Sequence, residues 1–278
     1  MIKSINCSEK DIEKTLPKLK KAGFDGIDFA LCDNGFMDGN WQEKAEKVKQ
    51  LLDKNGMVCA QVHLPFYGIF ESSEIYDEKM ERNIKNSFHA MKILDTKWGA
   101  FHPQSATNYD YDRNRSMHDN IEKLKGYLEE AAKYDVGIAV ENIPVFPDCP
   151  QYNFFSANVD DHIELVDALN SPLVQICWDF GHANLMKYDM AEEIKKMGDR
   201  IKILHVHNNN GMCDWHVTPT IGTIRWEGLL KTLKHIGFDG PMNLELNFKN
   251  LIPDECFDRY IKYSGEDAKL LEKKFEEC

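Results

Sequence analysis

Short apolar runs alternate with longer amphipathic segments along the whole chain. The apolar runs predict strands at residues 2–6, 26–31, 58–64, 98–102, 137–143, 174–179, 201–207 and 242–247. The amphipathic segments predict helices at residues 9–22, 41–55, 76–95, 117–134, 160–169, 190–197 and 226–236, with a last helix inside 256–275. Glycine or proline follows many of these segments and marks their ends. The pattern therefore predicts eight strand-then-helix units.

This alternation indicates the fold class. Some predicted strands are apolar on both faces, as at Ile138-Ala139-Val140, which is typical of parallel strands covered by helices. Eight such units in about 250 residues fit an α/β fold of the (β/α)8 TIM barrel type. An open doubly wound sheet is the alternative, but Asn6-Cys7-Ser8 replaces the glycine-rich first turn typical of that fold. With no linker or low-complexity tract, we predict a single domain over residues 1–278.

Composition narrows the compartment and the partners. The chain is 42% apolar and 29% charged, and it carries eight cysteines with no C-x-x-C pair. It has no apolar run near the roughly 20 residues that span a bilayer, and no signal-peptide pattern at its start. We therefore expect a cytoplasmic protein without a membrane partner. The net charge of −12 argues against a nucleic-acid partner. A homo-oligomer is compatible with the sequence.

Polar side chains stand at the ends of the predicted strands. Because the carboxyl ends of parallel barrel strands share one rim, where active sites are found, these side chains should converge. A single histidine at a strand end is more often a hydrogen-bonded structural residue than a ligand, so the inference depends on the whole set. The set is His63, His102, Glu141, Asp179, His182, His205, His207, Asp214, His216 and Glu245.

Such a cluster indicates a metal ion. Several carboxylates and imidazoles in one cleft cannot all stay charged and unpaired, and a divalent cation removes the conflict. Mixed oxygen and nitrogen donors suit Mn²⁺, Mg²⁺, Co²⁺ or Zn²⁺, so we predict one divalent metal ion. His205 and His207 share a strand face about 6.6 Å apart, and only one should be level with the carboxylates. We favour His207, nearer the rim, and place His205 one layer deeper.

The order of these residues resembles the xylose isomerase-like TIM-barrel superfamily. Its members include sugar isomerases, ketose 3-epimerases and endonuclease IV. The resemblance covers nearly the whole chain and is more specific for the superfamily than for a substrate. The matching segments are Glu141-Asn142, Asp179-Phe180-Gly181-His182, His205-Val206-His207, Asp214-Trp215-His216, residues 221–226 and Glu245.

The epimerase members of that superfamily imply a first hypothesis. By resemblance, Glu141, Asp179, His207 and Glu245 bind the metal, and the two glutamates are also the catalytic acid/base pair. The implied activity is isomerisation or epimerisation of a carbohydrate, with or without a phosphate, by proton transfer next to a carbonyl through an enediolate. The residues we expect to contact the substrate are His63, His102, His182, His216 and Arg225.

Two other functions stay open. An endonuclease IV-like phosphodiesterase would use the same ligands with three zinc ions, and its additional ligands would be His63, His102, His182, Asp214 and His216. Against it, Asn142-Ile143-Pro144-Val145 replaces the threonine- and glycine-containing run expected there, and we see no basic surface for a nucleic-acid strand. The other is a non-catalytic carbohydrate-binding barrel, which the presence of both Glu141 and Glu245 disfavours.

Residues in the predicted loops could contribute to substrate choice. Arg113 and Arg115 follow the fourth strand and are candidates to meet a phosphate. Asn208-Asn209-Asn210 follows His207, where many relatives of this superfamily carry an aspartate at the third place. The aromatic candidates to stack on a sugar ring are Phe66, Tyr67, Phe70, Phe146, Tyr152, Phe154 and Phe155.

Overall fold

The computed structural model describes residues 1–32, 35–66, 78–105, 111–147, 153–247 and 252–278. Its strands all belong to one parallel sheet in the order β7-β6-β5-β4-β3-β2-β1-β8. They are β1 (Lys3–Cys7), β2 (Gly26–Ala30), β3 (Val58–His63), β4 (Trp98–Phe101), β5 (Gly137–Glu141), β6 (Val174–Asp179), β7 (Ile201–His205) and β8 (Met242–Leu244).

The two edge strands of this sheet meet. The backbone N–H of Val206 donates to the carbonyl of Asn243 at 2.8 Å, and the N–H of Glu245 donates to the carbonyl of Val206 at 3.2 Å. These bonds bring β7 against β8 and close the sheet into a barrel. The predicted (β/α)8 TIM barrel, in a single domain, is therefore confirmed.

Helices cover the outside of the barrel. In the described residues they are α1 (Ile12–Ala22), α2 (Trp41–Lys54), α3 (Glu78–Leu94), α4 (Arg113–Ala132), α5 (Val159–Leu169), α6 (Phe180–Leu185), α7 (Met190–Met197), α8 (Trp226–His235) and α9 (Phe257–Glu277). Among them, no helix is long and apolar enough to cross a membrane.

The helix α1 illustrates why these segments fold as they do. Its buried residues recur every three to four positions, at Ile12, Leu16, Leu19 and Ala22, so one face packs on the barrel. It ends at Gly23, whose φ of 106° is easy for glycine and lets its N–H bond the carbonyl of Leu19. Other helices begin at polar caps, where the side chains of Asp112, Asn158, Asp179 and Asp189 accept backbone N–H groups.

Several predicted boundaries move. Helix α4 begins at Arg113 instead of residue 117, because Asp112 caps it. Strands β7 and β8 end at His205 and Leu244, two and three residues before their predicted ends. His182, expected on a loop, lies in the short helix α6. The predicted start of the third helix, at residue 76, lies outside the described residues.

The barrel interior is layered. A small apolar cluster of Ala100, Ala139, Cys177 and Ile203 fills its middle, separate from the large core between sheet and helices. Side chains two residues apart on a strand share a face. The next inward positions on the same four strands are therefore residues 102, 141, 179 and 205, all of them histidines or acids. An apolar floor thus lies directly under a polar layer.

Candidate active site

A cavity of about 1130 Å³ opens at the carboxyl ends of the strands. Asp179, His205 and His207 are completely buried beside it. The rim to which the sequence assigned the chemistry is therefore where the cavity lies. The acidic and imidazole side chains that line it are Asp28, His63, His102, Glu141, His182, Asp214, His216 and Glu245, with Asp11 and Asp254 farther along.

Three carboxylates and one imidazole meet at the centre of the site. Each of Glu141, Asp179, His205 and Glu245 offers one donor atom, and these atoms lie within 4.8 Å of one another. The Nδ1 atom of His205 is 3.2 Å from Oε1 of Glu141, 3.3 Å from Oε2 of Glu245 and 3.8 Å from Oδ2 of Asp179. These four residues are called the central group below.

The structure places His205, and not His207, beside the three carboxylates. Strand pairing explains this, because His205 is level with Asp179, and Ile203 is level with Cys177 in the apolar floor. His207 lies beyond the end of β7, where its Nε2 contacts Oδ2 of Asp179 at 3.0 Å. The geometry therefore favours His205 as the imidazole of the central group, and metal binding by either histidine stays a prediction.

A second set of donors adjoins the central group. His63 and His102 approach Glu141 from β3 and from the end of β4, with Nε2 atoms 3.7 and 3.2 Å from its Oε2. These three residues, called the β3–β4 group, share Glu141 with the central group. His63 and His102, two of the additional ligands that the endonuclease resemblance implies, therefore meet at Glu141.

A third set lies across the cavity. The loop group consists of His182, His207, Asp214 and His216, again with donor atoms within 4.8 Å of one another. Asp214 Oδ2 is 3.0 Å from Nε2 of His216 and 3.4 Å from Nε2 of His182. The rings of His207 and His216 stack with centroids 3.8 Å apart. The endonuclease resemblance counts His182, Asp214 and His216 among its additional ligands, whereas His207 was expected to bind metal with Glu141, Asp179 and Glu245.

The asparagine tract after His207 orders the loop that carries Asp214 and His216. Asn208 pairs with Val217 through two backbone bonds of 2.9 and 3.2 Å, and its side chain donates to the carbonyl of Pro219. Asn209 accepts from the side chain of Asn184 at 2.7 Å. Gly222, with φ of 141°, is required, since a Cβ there would lie 2.3 Å from Oδ1 of Asn208.

Asn142 joins the ends of β5 and β6. Its side chain donates to the carbonyl of Asp179 at 2.9 Å and accepts from the N–H of Asp179 at 2.7 Å. Its own carbonyl lies 2.7 Å from Nδ1 of His182. Next to this corner, a Cβ on Gly181 would come within 1.8 Å of the His207 ring, so only glycine fits.

Electrostatics differ among the carboxylates. Burial opposes ionisation of Glu141, but the charges of His205 and His102 outweigh it and hold its pKa well below the ordinary value. Asp179 is similar, since burial is outweighed by His182 and His207 and its pKa is lowered. For Glu245 burial prevails and raises the pKa to about 7. The two glutamates of the central group therefore differ in proton affinity.

The imidazoles also differ. Burial lowers the pKa of His63 to about 4. In His216 burial acts in the same direction, but Asp214 and Glu245 raise the pKa to about 9. His182 behaves likewise, because Asp179 and Asp214 overcome burial and raise its pKa well above the ordinary value. Asp214 thus holds positive charge on the loop group.

Unsatisfied polar atoms indicate what the central group can bind. Oε2 of Glu141, Oε2 of Glu245 and both ring nitrogens of His205 are buried and make no hydrogen bond within the described residues. Such atoms are rare in native proteins unless a ligand or ion satisfies them. Their convergence, with mixed oxygen and nitrogen donors, fits a divalent metal ion.

The remaining candidates fall into four kinds. Arg225 is exposed at the start of α8 and does not line the cavity, and Arg113 pairs with Asp161 and Glu164 on α5. Phe66 and Phe146 do line the cavity, with the Phe66 ring 4.2 Å from that of His102. Phe154 and Phe155 are buried, whereas Tyr67, Phe70 and Tyr152 lie outside the described residues.

Sequence reasoning missed a polar network below the central group. Oδ2 of Asp28 accepts from the side-chain amides of Gln61 at 3.0 Å and Asn243 at 2.9 Å. Ser4 in turn donates to Asn243 at 2.9 Å. The signal was an acid inside the apolar run Gly26–Ala30, because a buried carboxylate needs partners.

Known proteins share the fold of this chain. A family model described as xylose isomerase-like TIM barrel matches residues 16–273. An uncharacterised protein of Methanocaldococcus jannaschii is 27% identical over 95% of this chain and 89% of its own length. A D-psicose 3-epimerase of Enterocloster bolteae is 28% identical over 48% of this chain and 40% of that enzyme. The crystal structure of a D-tagatose 3-epimerase-like protein has the same fold, with a TM-score of 0.79, 22% identity, and coverage of 99% of this chain and 97% of that one.

Proposed function

Because the chain belongs to the xylose isomerase-like TIM barrel family, we propose that it is a divalent-metal-dependent isomerase or epimerase of a sugar or sugar derivative. The observation that carries the proposal is the central group, in which Glu141 and Glu245 approach the same nitrogen of His205 from β5 and from the end of β8. Similarity to a D-psicose 3-epimerase supports the choice of substrate class.

The two glutamates suit proton transfer at a carbon next to a carbonyl. Glu141, held as a carboxylate, takes the proton from that carbon, and the electron pair of the broken C–H bond moves into an enediolate. Glu245, with its raised pKa, returns a proton to the opposite face of the same carbon, and reversed roles give the reverse reaction. A divalent cation held by the central group would offset negative charge on the substrate oxygens.

The surrounding histidines would orient the sugar. His63, His102, His182 and His216 all line the cavity, and imidazole nitrogens suit hydrogen bonds to hydroxyl groups. Phe66 packs against His63 and His102 and offers an apolar surface beside them. Arg225 has no place in this arrangement, because it lies outside the cavity.

Deuterium exchange tests the proposed reaction. The protein loaded with Mn²⁺ is incubated with a panel of ketoses and ketose phosphates in D₂O, and proton NMR follows epimer formation and loss of the C–H signal. We expect one member of the panel to exchange, and exchange to vanish in Glu141→Gln. A metal-loaded protein that exchanges no proton in any ketose would contradict the proposal.

A second candidate is an endonuclease IV-like zinc phosphodiesterase. The observation that favours it is that the β3–β4 group and the loop group both adjoin the central group around one cavity, since clustered metals suit phosphodiester cleavage. Elemental analysis of protein purified without added metal separates the candidates. We expect about one divalent ion per chain for the isomerase, whereas close to three zinc ions with incision of an abasic duplex would establish the phosphodiesterase.

A further inference from the structure

The imidazole of the central group lies between acids on both sides. Its Nδ1 faces Glu141 and Glu245, and its Nε2, on the opposite edge of the ring, lies 3.4 Å from Oδ2 of Asp28. His205 is 0% exposed and Asp28 is 1% exposed, so no solvent competes for this contact. The distance is slightly longer than an ordinary N–H···O bond of about 2.9–3.0 Å.

Asp28 is fixed in place from three other strands. Gln61 on β3 and Asn243 on β8 both donate to its Oδ2, and Ser4 on β1 holds Asn243. The pairing of β2 with β3 also shifts register between Ile27 and Asp28, a local irregularity that re-aims side chains beside functional sites. The carboxylate is therefore held against the back of His205 by contacts that involve no residue of the central group.

We propose that Asp28 is a positioning residue for the metal site, which fixes the proton of His205 on Nε2. A neutral imidazole carries one proton, and a carboxylate facing Nε2 draws the proton there. The lone pair of Nδ1 then points at Glu141 and Glu245, where a cation needs a donor. This inference depends on the metal ion of the proposed function, but not on the identity of the sugar or on turnover.

Metal affinity of Asp28→Asn gives the first test. Asparagine keeps the size of the side chain but loses its charge, so the proton of His205 is no longer directed to Nε2. We expect calorimetric titration with Zn²⁺ to show affinity reduced about 10–100-fold. Asp267→Asn is the matched control, since Asp267 is also buried, accepts two hydrogen bonds from Thr220 and does not line the cavity. Unchanged Zn²⁺ affinity in Asp28→Asn overturns the inference.

A second measurement needs no variant. Long-range proton–nitrogen NMR of the Zn²⁺-loaded protein with ¹⁵N-histidine reports which ring nitrogen of His205 is protonated. We expect the proton on Nε2 and the metal-shifted signal on Nδ1, and the opposite assignment overturns the inference. If the wild type fails to bind Zn²⁺, this inference and the metal dependence of the proposed function both fall. If both Zn²⁺ experiments give the expected results but no sugar is turned over, only the proposed function is contradicted.

Discussion

The central group and the loop group contain the same two kinds of side chain in opposite proportions. Three carboxylates and one imidazole form the central group, whereas three imidazoles and one carboxylate form the loop group. Without a cation, the central group places excess negative charge in a buried position, which is costly. In the loop group Asp214 lies between His182 and His216 and offsets part of their positive charge, so no excess negative charge is buried there. The need for a metal ion is therefore concentrated in the central group.

The two groups also differ in the secondary structure that carries their side chains. Donors of the central group stand on or directly after barrel strands, above the apolar floor. Asp214 and His216 stand on the connection between β7 and α8, which depends on the hydrogen bonds of Asn208 and Asn209. Chemistry that demands fixed geometry suits the first support, and substrate contacts suit the second. Four predictions test this division, in order of decreasing effect.

Removing the charge of either central glutamate should have the largest effect. Glu141→Gln and Glu245→Gln are each expected to lower turnover by about 10²–10⁴-fold, because each loses a proton-transfer group. Circular dichroism should show an intact fold. Glu122→Gln, on the exposed surface of α4, is the control and should keep full turnover. Near-normal turnover in either central variant would show that its assigned role is wrong.

His162 lies outside both groups and should make its own contribution to the pH dependence of the free energy of unfolding. That contribution must be known before the pH dependence can be assigned to either group. This buried side chain bonds the carbonyl of Val140 at 2.6 Å, and burial lowers its pKa to about 4. Between pH 4 and 6.5 the unfolded chain binds a proton that the folded chain does not. The folded state therefore loses up to about 3 kcal/mol as the pH falls through this window.

Urea unfolding at pH 5.0 and 7.5 measures this loss. His162→Gln keeps a donor for Val140 but does not titrate, so it should reduce the difference between the two pH values. The pH dependence left in that variant belongs to the remaining groups, including the two compared here. An identical pH dependence in wild type and variant would exclude His162 as its source.

The effect of metal removal on thermal stability should show which of the two groups binds the ion. A cation at 100 times its dissociation constant stabilises a folded protein by about 2.7 kcal/mol. Thermal unfolding with and without chelator should show this gain in the wild type and in His216→Gln, and lose it in Glu245→Gln. The reverse result, a gain lost in His216→Gln alone, would place the ion in the loop group.

Asp214→Asn should have the smallest effect. The substitution removes the negative charge with which Asp214 pairs with His182 and His216. Loss of these ion pairs should weaken the orientation of the substrate but not proton transfer. We expect KM to rise about tenfold with kcat little changed, the size of one lost charged hydrogen bond. Steady-state kinetics decides, and a fall in kcat as large as that of Glu141→Gln would assign chemistry to the loop group.

Local sequence patterns predicted the barrel and its rim but not the depth of each side chain. Periodicity and the strand-ending residues were sufficient to bring Glu141, Asp179 and Glu245 together. They did not predict that His205 is level with Asp179. The stagger of the strands and a register shift between β6 and β7 decide which residues are level, and the sequence of a single strand contains neither. Asp28 was missed for a related reason, since its partners Gln61 and Asn243 are 33 and 215 residues away in the chain.

Asn142 has a consequence for the motion of the site. Its amide gives Asp179 both an acceptor and a donor, as one more residue of a neighbouring strand would, and so lengthens the pairing of β5 and β6 by one step. Local opening at this corner must break both bonds together. The backbone amide of Asp179 should therefore exchange with solvent at the slow rate of the barrel interior and not at the faster rate typical of loops.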